Sequence, residues 1–156
     1  GEGMGSLVVR AMAPGDESVL IEMGQRMWEE SDRFKRHPLS IEKLKQLANW
    51  VHTVSNVKCF VVEKDEIIGI WVGVLSPFWY SNDTLVSDIV FYVDKQYRGS
   101  SAAMRLVVAA DTWAKEMGAT ENSIGLSSGI DTEKVMCFFE KMGYTHSASI
   151  MIKEMG

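Results

Sequence analysis

Three β-prone runs follow one another with no helix between them, at residues 57–64, 66–75 and 84–93. Neighbouring runs joined by short turns pair antiparallel. The middle of the chain is therefore a meander. A doubly wound parallel sheet, which alternates strand and helix throughout, is excluded. The first turn is Lys64-Asp65-Glu66, and Gly69 and Gly73 leave the second strand open to close approach or a bulge. In the third strand Ile89, Phe91 and Val93 alternate with Asp88, Val90 and Tyr92, which places Asp88 and Tyr92 on one face.

Around this meander the spacing is helical. Residues 7–11 form a first short strand. Pro14, Asp16 and Glu17 then open a helix whose stripe is Leu20, Met23, Gly24 and Met27, fading near residues 29–31. After a polar stretch ending at His37-Pro38, Ser40 caps a second helix with Ile41, Leu44, Leu47, Ala48 and Val51 inward. Residues 76–83 form a loop carrying Phe78, Trp79 and Tyr80. Downstream, residues 100–117 form a long helix with the stripe Ala103, Leu106, Val107, Ala110, Trp113, Ala114 and Met117. A strand at 122–128, a helix at 131–142 and a last strand at 144–154 complete the order β-α-α-β-β-β-α-β-α-β. The class is mixed α/β, in one domain over residues 7–156, with residues 1–6 read as a disordered tail.

Of 156 residues, 46% are hydrophobic and 24% charged, which suits a globular chain rather than a disordered one. A net charge of -5 argues against a general nucleic-acid binder, which carries a basic stripe. Cys59 and Cys137 are too few for a disulfide framework and read as buried small hydrophobes. His37, His52 and His146 lack ligand spacing, so no metal is assigned; His52 falls on the outer face of the second helix. The five tryptophans read mainly as core, with Trp28 and Trp79 flanking loops. No apolar run reaches the ~18–20 residues of a membrane span, and no secretory leader is visible. The expectation is a cytoplasmic protein without a membrane partner.

The chemistry concentrates where the 84–93 strand turns into the long helix. The free N–H groups of a helix's first turn favour an anion. Gly99, Ser100, Ser101, Ala102 and Ala103 present no bulky side chain there, and Arg98 adds a positive charge. The pattern suits a diphosphate seat; the alternative is an ordinary β-α turn kept small for packing. Neither G-x-x-x-x-G-K-[ST] nor G-x-G-x-x-G is present.

Gln96-Tyr97-Arg98-Gly99-Ser100-Ser101 resembles the Gln/Arg-x-x-Gly-x-Gly/Ala signature of the GNAT superfamily of acyl-CoA-dependent N-acyltransferases, with Ser101 at the usual Gly or Ala. Phe138-Phe139-Glu140-Lys141-Met142-Gly143-Tyr144 is similar to the family's Phe-Tyr-Glu-Lys-x-Gly-Phe run. Val9-Arg10-Ala11-Met12-Ala13-Pro14-Gly15-Asp16 resembles its first strand and turn. The resemblance implies a mostly antiparallel twisted sheet of six to seven strands flanked by four helices. It implies acetyl-CoA as co-substrate in a gap where strands four and five splay apart. The pyrophosphate would lie on Arg98, Gly99, Ser100, Ser101, Ala102 and Ala103, and the pantetheine beside Phe91 and Val93. Thr132, where the family often has Asn, and Phe139 would sit near the thioester end. The acceptor is an amine-bearing small molecule or peptide, with residues 28–38 and 78–83 lining its cleft and Glu29, Glu30 and Asp32 available to attract an ammonium. A homodimer is possible.

Amine acetylation needs a base for the ammonium. Asp88 is the candidate, since apolar surroundings raise a carboxyl's proton affinity; the alternative is a structural Asp bonded to a Lys or a backbone amide. The family's usual acid, the Tyr of its Phe-Tyr run, is Phe139 here, which cannot donate. Tyr92, Tyr144, Ser128 or water are the substitutes. The functional expectation is an N-acetyltransferase. A catalytically silent acyl-CoA-binding domain and a structural interaction domain are the alternatives.

Overall fold

A computed structural model describes residues 6–126 and 133–156. Their elements are β1 (Val8–Ala11), α1 (Glu17–Glu30), α2 (Ile41–Thr53), β2 (Val57–Lys64), β3 (Glu66–Pro77), β4 (Thr84–Val93), α3 (Ala102–Glu116), β5 (Glu121–Ser123) and α4 (Glu133–Lys141). Short 3-10 turns lie at Phe34–Arg36 and Lys95–Tyr97. Among the described residues the strands form one sheet in the order β1-β2-β3-β4-β5. β2–β3 and β3–β4 pair antiparallel, as the meander requires; β1 also pairs β2 antiparallel, and β4 pairs β5 in parallel across the α3 crossover.

The sheet is thus five-stranded and mixed, not six- to seven-stranded and mostly antiparallel. The missing piece is the strand expected at 144–154: residues 144–156 take no regular structure. The next edge available to them, β5, is three residues long and offers little template. Strand 122–128 is likewise reduced to β5, with Ser127 and Ser128 outside the described residues.

Each face of the sheet carries its own core. On one, Leu20, Met23, Leu47 and Ala48 of α1 and α2 cover Cys59, Val61, Ile70, Val72, Val90 and Tyr92. On the other, Leu106, Val107, Ala110 and Trp113 of α3, with Val135 and Phe139 of α4, cover Val62, Trp71, Val86, Phe91 and Val93. Helical stripes and strand alternation produce this partition directly. α2 begins where its cap indicates; the Ser40 hydroxyl accepts from Lys43 N–H at 3.3 Å. Among single residues, Cys59 is buried but Cys137 is exposed. Trp71 and Trp113 are core, whereas Trp50 is exposed. His52 lies on the outer side of α2, 3.0 Å from the Glu17 carboxylate.

One irregularity matters for the site. Val72 pairs Val90, but Gly73 pairs Asp88, so Ile89 is an extra residue bulged out of β4. The bulge reverses the alternation. Val86 and, with it, Asp88 belong to the α3 face, while Tyr92 lies on the α1–α2 face. Asp88 and Tyr92 therefore do not share a face, contrary to simple alternation. The partner residue must be glycine: a Cβ on Gly73 would stand 2.2 Å from the Trp71 ring, and Trp71 is fully buried. Gly73→Ala should lower stability by roughly 1–3 kcal/mol, the usual cost of overpacking. Urea unfolding would show this as a lower midpoint at unchanged slope; an unchanged midpoint would mean the indole does not cover this glycine.

Candidate active site

The parallel ladder between β4 and β5 ends after Leu85↔Glu121, Val86↔Asn122 and Ser87↔Ser123. Beyond Ser87 the strands part. The next β5-side amide, Gly125 N–H, donates not to a β4 carbonyl but to the Asp88 carboxylate, Oδ1, at 2.8 Å. A side chain thus stands between the two backbones where the pairing would have continued. Gly125 fits closely, since a Cβ there would lie 3.7 Å from both carboxylate oxygens. Among the described residues, β4 beyond this point has β3 on one side and no strand on the other.

The register shows which groups face that gap. Asp94 N–H donates to the Ile68 carbonyl at 2.8 Å, which continues the hydrogen-bonded pairs of β3 and β4 and makes Phe91↔Trp71 and Val93↔Gly69 the non-bonded ones. The peptide groups of Phe91 and Val93 therefore point away from β3, into the gap, while their side chains are buried against α3. The Val93 carbonyl already accepts from Arg98 Nε at 2.9 Å.

At the C-terminal end of β4 the chain passes through Lys95–Tyr97 and reaches Gly99 at φ 94°, a left-handed conformation that favours glycine. Ser100 N–H is taken by the Tyr97 carbonyl and Ala102 N–H by Ser100 Oγ, so these residues shape the turn. The amides of Ser101, Ala103 and Met104 find no acceptor among the described residues. They form a donor cluster at the positive end of the 15-residue α3. The cation beside it is one that sequence reasoning missed: Lys134 Nζ lies 3.4 Å from the Gly99 carbonyl. Lys134 belongs to no motif, and only the docking of α4 brings it there.

Arg98 points elsewhere. Its Nη2 meets Glu30 Oε2 at 2.6 Å, and its guanidinium lies 5.4 Å from the Tyr92 ring. Glu30 Oε1 accepts the Tyr92 hydroxyl at 2.9 Å. This cluster ties the end of α1 to the turn before α3. Burial opposes ionisation of Glu30, but the bonds from Arg98 and Tyr92 outweigh it and hold its carboxyl below the ordinary range. Glu30 is thus already neutralised. Of the three carboxylates expected to attract an ammonium, Glu29 and Asp32 are exposed, the latter 3.6 Å from Lys35. A groove of about 650 Å³ on this side is lined by Arg26, Glu29, Glu30, Tyr92, Asp94 and Lys95, among others. Trp28 Nε1 donates to the His37 carbonyl at 2.8 Å and holds the α1–α2 connection, whereas Trp79 and Tyr80 are exposed at the β3–β4 loop.

The proton-transfer candidates separate clearly. Burial raises the Asp88 carboxyl above the ordinary carboxylate range, against the opposing bonds from Gly125 N–H and its own amide. Both tyrosines are held. Burial and the Glu30 carboxylate push Tyr92 up to about 12. Burial and Asp111 push Tyr144 up to about 12, and its hydroxyl accepts from Asn122 Nδ2 at 2.7 Å. Phe139 is buried, edge-on to the Tyr144 ring at 5.1 Å. Burial pushes the Cys59 thiol up to about 12, far from a nucleophile's range. Thr132 and Ser128 lie outside the described residues. Among the described residues no group of three or more His, Cys, Asp or Glu could hold a metal ion, and no helix is long and apolar enough to cross a membrane.

The sequence profile of the Acetyltransferase (GNAT) family matches residues 24–144. The chain belongs to the GNAT acetyltransferase family. Solved structures agree in fold. A Trypanosoma brucei acetyltransferase is 20% identical with a TM-score of 0.69, covering 96% of this chain and 99% of that one. An aminoglycoside acetyltransferase from an uncultured soil metagenomic sample, in complex with sisomicin, is 18% identical with a TM-score of 0.68, over 97% of each chain. The aminoglycoside acetyltransferase AAC(6')-Iy, in complex with a CoA-containing bisubstrate analogue, is 13% identical with a TM-score of 0.73, covering 96% of this chain and 98% of that one. The comparison with curated proteins finds no match.

The raised Asp88 carboxyl has a stability consequence. The folded chain holds this proton more tightly than the unfolded chain does. Its contribution is therefore full below the unfolded pKa of about 3.9 and is lost as pH rises through the folded value. Asp88→Asn still offers Gly125 an acceptor oxygen but cannot ionise. Its unfolding free energy relative to the native chain should improve as pH rises from about 4 toward 7. A difference independent of pH would show that this carboxyl is not desolvated.

Proposed function

We propose that this chain is an N-acetyltransferase that moves an acetyl group from acetyl-CoA to a primary amine. The observation that carries the reading is the parting of β4 and β5 at Asp88, with the peptide groups of Phe91 and Val93 facing the gap and unpaired helix amides at its end. Acetyl-CoA supplies, when bound, a thioester that a neutral amine can attack. The amides of Ser101, Ala103 and Met104 suit its diphosphate, with Gly99, Ser100 and Ala102 giving room and shape and Lys134 adding charge. Arg98 serves by holding the turn. The Phe91 and Val93 peptide groups suit the pantetheine amides, and Phe139 the thioester end; Thr132, expected there from the resemblance, lies outside the described residues.

Asp88 is the base in this reading. Oδ1 is occupied by Gly125 N–H, and the second oxygen remains for the acceptor's proton, directly or through water. The raised carboxyl brings its basicity toward that task. Neither tyrosine is placed to act as an acid, because each hydroxyl is engaged and each pKa is raised. Likeness to the two aminoglycoside acetyltransferases puts polyamine sugars within the acceptor class. Phe139 at the family's usual Tyr position favours one second reading, a silent acyl-CoA-binding domain; turnover on a panel of amines decides between them.

Two experiments test the proposal. Acetyl-CoA at 100-fold its dissociation constant should stabilise the chain by about 2.7 kcal/mol, read as a rise in Tm. Ser101 occupies the N-cap position of α3 without a side-chain cap bond; Ser101→Asp puts a favoured N-cap residue there and sets a carboxylate at the donor cluster, so it should fold and lose that rise. An unshifted native Tm at millimolar acetyl-CoA would overturn the reading. For the base, Asp88→Asn should keep the Tm rise while kcat/KM falls roughly 10²–10⁴-fold. The ascending limb of the native pH–rate profile should disappear with it. Retained activity with the limb intact would remove Asp88 from catalysis.

A further inference from the structure

We propose that the open edge of β1 receives an extended peptide segment of another protein as an added strand, whose inward side chains, apolar and acidic, enter the groove between β1 and α3. β2 and β3 separate this edge from the gap beside β4, so the site is independent of the acetyl-transfer reading. The first ground is the set of peptide groups that β1 leaves unpaired. Met12 N–H donates to the Cys59 carbonyl at 2.9 Å, and the register continues through Ala11↔Phe60, Arg10↔Val61, Val9↔Val62 and Val8↔Glu63. Bonded and non-bonded pairs alternate. Arg10 and Val8 therefore bond to β2, and the peptide groups of Val9 and Ala11 turn outward. The Ala11 carbonyl accepts from Arg10 Nη1 at 3.2 Å. The Val9 amide and carbonyl and the Ala11 amide have no partner among the described residues. Val8–Ala11 contains neither Pro nor Lys, the usual guards of an edge.

The second ground is what lies beside that edge. Val9 and Phe60 both pack toward α3. They line a groove of about 500 Å³ whose α3 side includes Val108, itself 47% exposed. A strand added to β1 sends every second side chain toward this face. Main-chain bonds and side-chain room thus coincide, as strand addition requires. The third ground is charge. Arg10 also lines the groove, but Asp16 at 2.7 Å and Glu63 at 3.1 Å neutralise it. Lys58 Nζ lies 5.5 Å from the Phe60 ring centroid and meets no carboxylate among the described residues. Arg105 is a further cation of the lining, against one carboxylate, Glu116. Cations therefore outnumber carboxylates here in a chain of net charge -5. Carboxylates on the incoming strand complement them.

The probe is the peptide Thr-Glu-Thr-Val-Thr-Glu-Thr, labelled with fluorescein and blocked at both ends. It should bind the intact chain saturably below about 1 mM. In nuclear magnetic resonance it should protect the Val9 and Ala11 amides from exchange and leave those of Val8 and Arg10, already bonded to β2, unchanged. The same peptide with Lys for Glu should bind about 10-fold more weakly or worse. Val108→Glu changes an exposed helix position, so it should keep the native Tm and weaken binding of the acidic peptide about 10-fold. Val9→Pro removes an amide that β2 does not use, and should abolish binding while circular dichroism is kept. No binding at about 1 mM, equal affinity for the Lys peptide, undiminished binding by Val108→Glu, protection at the β4–β5 gap instead of β1, or a β1 edge already covered by a second copy would each overturn the proposal.

Discussion

The bond from Gly125 N–H to the Asp88 carboxylate decides the shape of the site. Up to Ser87 the two parallel strands share an ordinary ladder; one residue later a side chain stands where a carbonyl would have been. A carboxylate accepting a backbone N–H makes a stronger bond than a neutral pair, so the strands are held at a fixed separation instead of fraying. The bulge at Ile89 completes the device. It turns Asp88 toward the α3 face while returning Phe91 and Val93 to register with β3. Gly73 is then required beside it, because the Trp71 ring fills the space a side chain would use. One bulge thereby sets the cleft, the orientation of its carboxylate and the packing beneath.

The mouth of the cleft depends on a second tie. Arg98 looks in sequence like a phosphate ligand, but its guanidinium joins Glu30 and the Val93 carbonyl and stacks near Tyr92. The turn that carries the donor amides is thereby fastened to α1, on the opposite face of the sheet. Its positive charge is spent within the protein, and Lys134 of α4 supplies the cation near Gly99. Two elements distant in sequence, α1 and α4, converge on the few residues of turn between β4 and α3.

Much of this was legible in the sequence because local patterns reported local structure. The 57–64 and 84–93 strands and the Ser40 cap follow from alternation and capping chemistry, and the three coincide with the structure. The small-residue start of α3 also stood out, since few side chains leave helix amides bare. What failed to show were facts of register and docking. The Ile89 bulge shifts the alternation without changing composition, so Asp88 seemed to share a face with Tyr92. Lys134 reaches the turn through the packing of α4, and Arg98 is diverted by a residue 68 positions away. The strand expected at 144–154 does not form, because a strand needs an edge as well as a sequence and β5 offers only three residues.

Pairing of an acyl-CoA in the gap requires the Phe91 and Val93 amides and the Phe91 carbonyl to be free, the Val93 carbonyl being held by Arg98. Amide hydrogen exchange, resolved by residue, tests this directly. Adding CoA should slow exchange at Phe91 and Val93 and at Ser101, Ala103 and Met104, while the Val90 and Tyr92 amides, already bonded to β3, stay unchanged. Protection confined to other parts of the chain, with Phe91 and Val93 exchanging as before, would contradict the account.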